Sequence, residues 1–329
     1  MEELAIEYGA VLILVFLLSV VMLRYLIPVL KSKKVGQKIL EIGPRWHKSK
    51  EGTPTMGGVG FILAILITVA AVSVVSLIRG SSGELKPLAF TLGLATINGL
   101  IGFIDDRCKL LKKENEGLKA YQKFALQLIA AGVYLFAMAS IGNVDTMLRI
   151  PFTDIHIELG AFYYIFAALL IVGMVNGVNL TDGLDGLASG VTAVVGIFFG
   201  VCGFAASFRS LTLASAVIVG GTLGFLVYNF YPARIFMGDT GSLFLGGAVV
   251  GCAFMMNEPL IIVICGVIYI FETLSVMIQV GVYKLTHKRV FKMAPVHHHF
   301  EKCGWSERKV FTVFSIITAL GCVLAWFSI

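Results

Sequence analysis

Apolar runs of about twenty residues follow one another along almost the whole chain, at approximately 8–30, 56–78, 88–104, 121–141, 160–178, 187–207, 211–229, 241–256, 259–285 and 309–328. A helix rises 1.5 Å per residue, so ~20 apolar residues cross the ~30 Å hydrocarbon core of a bilayer. Backbone N–H and C=O groups in lipid must be bonded internally, and continuous rather than alternating apolar runs select helices over a barrel. The expected fold class is therefore all-α: a polytopic membrane protein with about ten transmembrane helices. Only 14% of its residues are charged, against roughly 25% in soluble domains. Short loops make residues 1–329 read as a single integral-membrane domain. The first run exceeds the ~7–15 residues of a signal-peptide core and lacks a small-residue cleavage site after it, so it reads as a span. The ninth run is long for one crossing and is expected to tilt, bend or break.

Lys and Arg divide the loops into two kinds. Of the 26, Arg24 lies inside the first run, and Arg79, Lys86, Arg149 and Arg209 occupy one set of loops. The others crowd the alternate loops, from Lys31 to Lys50, from Arg107 to Lys123, at Arg234 and from Lys284 to Lys309. Cytoplasmic loops are enriched in these residues, so the basic loops are expected in the cytoplasm and both termini are expected to be extracytoplasmic. The net charge of +6 could suggest nucleic acid, but the positions of the charges say otherwise, and no nucleic-acid partner is expected. Among the cysteines there is no CxxC pair, and Cys202, Cys252, Cys265 and Cys322 lie in apolar runs. They read as inert thiols rather than a disulfide or zinc framework. The outer loop 142–159 alternates in "FTDIHIEL" and is expected to form a short hairpin carrying His156.

Acids gather at the cytoplasmic ends of the runs. Asp105 and Asp106 close the third in "GFIDDRCK", Asp182 and Asp185 follow the fifth in "NGVNLTDGLDGLA", and Asp239 follows the seventh in "NFYPARIFMGDTGS". Acids at the edge of apolar spans are costly and mark function. The plainer reading is capping or turn formation, which suits Asp182 or Asp239 taken singly. It suits the adjacent Asp105–Asp106 pair poorly, because like charges repel unless a proton or cation intervenes. Carboxylates beside Lys and Arg suit Mg²⁺, which takes one or two carboxylates and leaves positions for phosphate oxygens and water. If 179–185 is helical, Asn179, Asp182 and Asp185 fall within an arc of roughly 120° and line one wall of a pocket.

Two other polar segments share that face. "HKSKEGTPTMGG" offers Gly-rich backbone near lysines that can approach phosphate, with a simple turn as the alternative. There is no GxxxxGK[ST], which excludes a P-loop ATPase. "APVHHHFEKCGWSE" (294–307) holds His297, His298 and His299. Consecutive residues on a helix point apart, so these imidazoles could share a metal only from a loop, and partners at zinc-ligand spacing are missing. With Lys288, Arg289 and Lys292 they suit anion recognition instead, while Phe291, Phe300 and Trp305 can seat the loop at the interface or stack on a ligand.

"GTPTMGG" (52–58), "DDRCK" (105–109), "NGVNLTDGLDGLA" (176–188), "YNFYPARIFMGDTGS" (228–242) and "APVHHHFEKCGWSE" (294–307) together resemble the phospho-N-acetylmuramoyl-pentapeptide transferases. These form a branch of the polyprenyl-phosphate N-acetylhexosamine-1-phosphate transferase superfamily. The resemblance implies a Mg²⁺-dependent enzyme of the bacterial cytoplasmic membrane with its active-site cleft facing the cytoplasm. It implies that undecaprenyl phosphate attacks the β-phosphate of UDP-MurNAc-pentapeptide to give lipid I and UMP, the first membrane step of peptidoglycan synthesis. It also implies a homodimer through the spans. Carried over by motif position, Asp239 resembles the Mg²⁺ ligand, with Asp105 and Asp106 around the metal and the lipid phosphate. Lys48, Thr53, Asn179, Asp182, Gly183, Leu184, Asp185 and Phe236 resemble the nucleotide pocket, where Phe236 would stack on uracil. Asn229 and Gln279 match further polar positions of the cleft. His298 takes a direct role, and His297 and His299 bind substrate or support the loop.

The branch with the HHH segment takes the muramoyl pentapeptide; a sister transferase loading UDP-GlcNAc is the nearest rival. "DGLDGLA" also suggests a CDP-alcohol phosphatidyltransferase, but Ser189 and the residues after it depart from DxxDGxxAR. A cation-coupled transporter should place acids at mid-membrane depth, and here they gather at one surface.

Overall fold

The computed structural model describes residues 1–32, 50, 52–112 and 117–329. Its long helices are α1 (Glu2–Ser32), α2 (Gly58–Ile78), α3 (Lys86–Lys112), α4 (Ala120–Ser140), α5 (Phe162–Thr181), α6 (Leu187–Ala205), α7 (Arg209–Asn229) and α8 (Gly238–Met255). A short α9 (Ile261–Cys265), α10 (Val267–Thr286), a short α11 (Val296–Lys302) and α12 (Glu307–Trp326) complete them. Ten of these helices, with a 3₁₀ turn at Ser82–Leu85 leading into α3, are long and apolar enough to cross a membrane.

α6, α7 and α8 are mostly buried inside the bundle, while α1, α2, α10 and α12 are mostly exposed. The exposed sides are apolar: Ile67, Phe136, Leu169 and Leu320 all face outward from mid-helix. A water-soluble protein does not display contiguous apolar surface on that scale; lipid covers it without cost. The inner helices approach closely through small residues, as membrane helices do. At Gly102 of α3 an added Cβ would overlap the Asp239 carbonyl of α8.

One local expectation changes and two are met. The third run continues as helix to Lys112, so Asp105 and Asp106 sit within α3 rather than at its end. The ninth run breaks at Gly266 into α9 and α10. The outer hairpin forms from Met147–Arg149 (β1) and His156–Glu158 (β2), antiparallel with Leu148 opposite Ile157. Its first strand precedes the alternating segment. Arg149 Nε donates to Glu258 Oε1 at 2.7 Å, tying the hairpin to the end of α8 far from Asp239. His156 is exposed there and reaches only its own turn, at Asp154 O.

Candidate active site

α3 and α8 meet so closely at Gly102 that their polar ends interlock. Asp106 accepts from the backbone N–H of Asp239 (3.2 Å) through Oδ1, and from the N–H (3.0 Å) and hydroxyl (2.7 Å) of Thr240 through Oδ2. The first N–H groups of a helix have no partner within it and attract negative charge. Asp106 therefore caps α8 from a different helix. Asp239, half-buried in the first turn of α8, is not itself the cap, and the capping reading of that residue is overturned.

The other two carboxylates carry the lysines. Asp105 Oδ1 accepts from the Leu118 N–H at 2.7 Å, and its Oδ2 meets Lys109 Nζ at 2.7 Å. Lys109 Nζ also reaches Asp239 Oδ2 at 3.0 Å, and Lys123 Nζ from α4 reaches the same oxygen at 2.7 Å. Asp105, Asp106 and Asp239 each bring a carboxylate oxygen within 4.8 Å of the others. Three carboxylates face two ammonium groups, so the cluster keeps a surplus negative charge in a partly buried place. Hard oxygen donors with that surplus fit Mg²⁺. Asp239 and Asp105 are the better-placed ligands, since three donors already occupy Asp106. Among the described residues no other group of three metal-ligating side chains converges, so the histidines form no metal site there.

In the sequence, Lys109 and Lys123 read only as charges that orient the protein. Lys109 was legible as more: it stands four residues after Asp105, on the same helical face. Lys123 was not, because nothing local ties α4 to residue 239.

The turn between α5 and α6 holds the second group of acids. α5 ends at Thr181 and α6 begins at Leu187, so Asn179, Asp182 and Asp185 do not share a helical arc. Asn179 lies half-buried in the last turn of α5 and Asp182 follows it. Burial, then the charges of Asp239, Asp106 and Asp185, raise the Asp182 carboxyl well above the ordinary 3.8. Asp182 is thus near enough to the carboxylate cluster to feel its charge. Gly183 is exposed and Leu184 is buried. Asp185 is a structural knot: it accepts from Lys50 Nζ at 2.7 Å and from the Ala233 N–H at 2.8 Å. Glu307 at the start of α12 shares Lys50 at 2.7 Å and accepts from the Asp185 N–H.

Several residues expected in the cleft also hold its framework. Asn229 is buried and accepts from the Gly186 N–H and Ser189 hydroxyl while donating to Ile235 O; it braces the turn. Gln279 accepts from the Val290 and Phe291 N–H groups, holding the segment after α10. Phe236 is half-buried, its N–H donating to Pro54 O and its carbonyl accepting from the Gly57 N–H; Thr53 is half-buried as well. The Gly-rich segment packs instead of cradling an anion: Gly58 N–H donates to Met237 O, and a Cβ at Gly58 would overlap Gly241 backbone. Lys48 lies outside the described residues.

The histidine segment is helical; the His297 and His298 rings meet edge-on with centroids 4.1 Å apart, and His299 has partners of its own. His297 is buried with Nδ1 3.0 Å from Glu272 Oε1 of α10, without hydrogen-bond alignment, and its Nε2 abuts Gly183, where a Cβ would overlap it. Glu272, a lone acid in an apolar run, is the sequence signal that could have found this contact. His298 Nδ1 lies 2.7 Å from Glu301 Oε2. His299 accepts from the Lys292 N–H at 3.1 Å. Phe300 stacks on Trp305 with centroids 4.6 Å apart and meets Phe314 of α12 edge-on. The aromatics thus seat α11 against α12.

The glycosyl transferase family 4 model matches residues 88–257, and the phospho-N-acetylmuramoyl-pentapeptide-transferase signature 1 matches residues 50–62. Full-length similarity extends to phospho-N-acetylmuramoyl-pentapeptide-transferases of clostridia. That of Clostridioides difficile (strain 630) is 48% identical over 322 residues, covering 96% of this chain and 95% of the relative. That of Clostridium novyi (strain NT) is 46% identical over 314 residues, covering 95% and 94%. That of Clostridium perfringens (strain 13 / Type A) is 44% identical over 319 residues, covering 97% of each.

Proposed function

Because the chain belongs to the phospho-N-acetylmuramoyl-pentapeptide-transferase family, we propose that it transfers phospho-MurNAc-pentapeptide from UDP-MurNAc-pentapeptide to undecaprenyl phosphate, releasing UMP and forming lipid I. The observation that carries this reading is the meeting of Asp105, Asp106 and Asp239 within 4.8 Å at one end of a bundle of membrane-crossing helices. A lipid-borne phosphate reaches that end from the bilayer, and a nucleotide reaches it from water. Lys50, Lys109 and Lys123, described members of the basic segments, bond to acids at that end, which supports a cytoplasm-facing site and extracytoplasmic termini. Assembly as a homodimer through the spans belongs to the same reading.

The chemistry asks mainly for positioning and charge neutralisation. An oxygen of the lipid phosphate forms a bond to the β-phosphorus as the bond from that phosphorus to UMP breaks. Asp239, with Asp105 beside it, would hold Mg²⁺, which would supply charge neutralisation at the phosphate oxygens. Lys109 and Lys123 screen Asp239 from Asp105 and present positive charge toward the phosphates. Asp106 acts through α8: by capping it, Asp106 sets where Asp239 stands. A phosphate monoester is largely ionised at neutral pH, its second pKa being about 6. Little base strength is needed, so Asp105 takes whatever proton the attacking phosphate still carries. Asp182, Gly183 and Phe236, with His298 beside the His297 that abuts Gly183, suit the sugar-nucleotide side.

UMP release tests this reading, using purified protein in detergent with Mg²⁺, a polyprenyl phosphate and either UDP-MurNAc-pentapeptide or UDP-GlcNAc. Release from the muramoyl donor alone, lost in Asp239→Asn, is expected. Release from UDP-GlcNAc instead would keep the chemistry and overturn the substrate. A phosphorylated Asp239 trapped without lipid would overturn the direct attack.

A further inference from the structure

A second cavity, of about 620 Å³, opens beside the site, lined by Tyr231, Glu301, Gly304, Trp305, Ser306, Glu307 and Arg308. That volume lies within the range of pockets that take drug-sized ligands. Two of its lining residues belong to the site's own framework. Glu307 bonds Lys50 and the Asp185 N–H, and Glu301 bonds His298. The cavity therefore shares two residues with the framework that holds Asp185 and the histidine helix.

Its chemistry is specific. Glu301 and Glu307 each already hold a cationic or imidazole partner. Arg308 and Lys309, by contrast, have no carboxylate partner among the described residues. The Arg308 guanidinium lies 5.5 Å from the Tyr231 ring centre, and Lys309 Nζ lies 4.4 Å from that of Trp305. Trp305 is also stacked on Phe300, so it is a rigid wall rather than a mobile ring. An arginine laid over an aromatic face and lining an open cavity is built to grip a carboxylate.

The donor substrate carries such a group. A muramoyl peptide is acylated at its first residue, which consumes the peptide N-terminus and leaves the C-terminal carboxylate free. Five extended residues reach about 17 Å, enough to leave the reaction centre and lie across the α11–α12 connection. We propose that this cavity is the subsite for the peptide arm of the donor and that Arg308 binds the terminal carboxylate. Tyr231 and Trp305 flank the chain. The inference rests on the transferase reading above and adds to it a determinant of substrate choice separate from the phosphate chemistry.

The test compares two donors, UDP-MurNAc-pentapeptide with its free terminal carboxylate and the same molecule as the terminal carboxamide, in wild type, Arg308→Gln and Arg308→Lys. UMP release is followed, and the thermal midpoint confirms that each variant is folded. In wild type the carboxamide is expected to show a KM about tenfold higher at unchanged kcat. In Arg308→Gln both donors should share that raised KM, with Arg308→Lys between. Equal use of both donors by wild type would overturn the subsite. So would a loss in Arg308→Gln that is the same for acid and amide, because a structural arginine does not distinguish them. Absence of UMP release from either donor in wild type would instead overturn the transferase reading, and this inference with it.

Discussion

Two charged networks stand at opposite ends of the bundle, and they are built differently. At the far end Arg209, the first residue of α7, donates through Nε and Nη2 to both oxygens of Glu7 on α1, at 2.9 and 2.6 Å. It also reaches Glu84, Ser76 and Ser81. Its donors find acceptors in a fixed fork, and the result is a clamp joining α1, α2, α7 and the 3₁₀ turn. At the near end three carboxylates meet two lysines, whose ammonium groups are point charges on flexible stems. Both networks hold one more carboxylate than cation, but at the near end the carboxylate oxygens converge within 4.8 Å of one another. A fork matched to its acceptors stabilises; converging carboxylates leave a place for a cationic ligand.

The largest effect that separates them belongs to Asp239→Asn. It should lower UMP release by about 10³-fold or more while leaving the thermal midpoint near wild type, since Lys109 keeps its pair with Asp105. A fall in midpoint matching the loss of activity would make the near network a clamp as well. Chelation by EDTA should abolish wild-type release just as completely, with recovery on adding Mg²⁺; release that survives chelation would remove the metal from the site. Gly102→Ala drives a methyl group into the Asp239 carbonyl. It should cost about 1–3 kcal/mol of stability together with most activity, because α3 and α8 can no longer interlock.

The intermediate case is the paired comparison of Lys123→Ala with Arg209→Ala. The first should lower kcat by about 10²-fold at nearly constant midpoint. The second should cost about 2 kcal/mol at nearly constant kcat. Reversal of the two patterns would overturn the distinction between the networks. Smallest is the effect of Asp182. Its raised carboxyl pKa means the folded protein binds that proton more tightly than the unfolded chain. Its contribution therefore falls as pH rises from about 3.8 through the raised value and stays low above it. Asp182→Asn should remove that part of the metal-free pH–stability slope, read as thermal midpoint against pH; an unchanged slope would place Asp182 in solvent.

Much of this protein was legible in its residues because lipid permits so few solutions. Apolar runs of span length had to become helices, and the break in the ninth run followed from its length. The acids stood out because carboxylates beside such runs are costly. The turn at 182–186 was not legible, because "NLTDGLDG" carries helical spacing as readily as turn residues, and only the course of the backbone after Thr181 decides.

What sequence alone determined, then, was the number of spans and the residue types that carry chemistry, both set by local hydropathy and motif order. Tertiary structure alone decided which acids meet. Asp105 and Asp106 lie over a hundred residues from Asp239, and only the close crossing at Gly102 brings them together. The same packing made Asp106 a helix cap, turned His297 inward against Glu272 and Gly183, and placed Arg308 over Tyr231. Each of these depends on the depth and rotation of one helix against another, which close packing of side chains sets and no local pattern encodes.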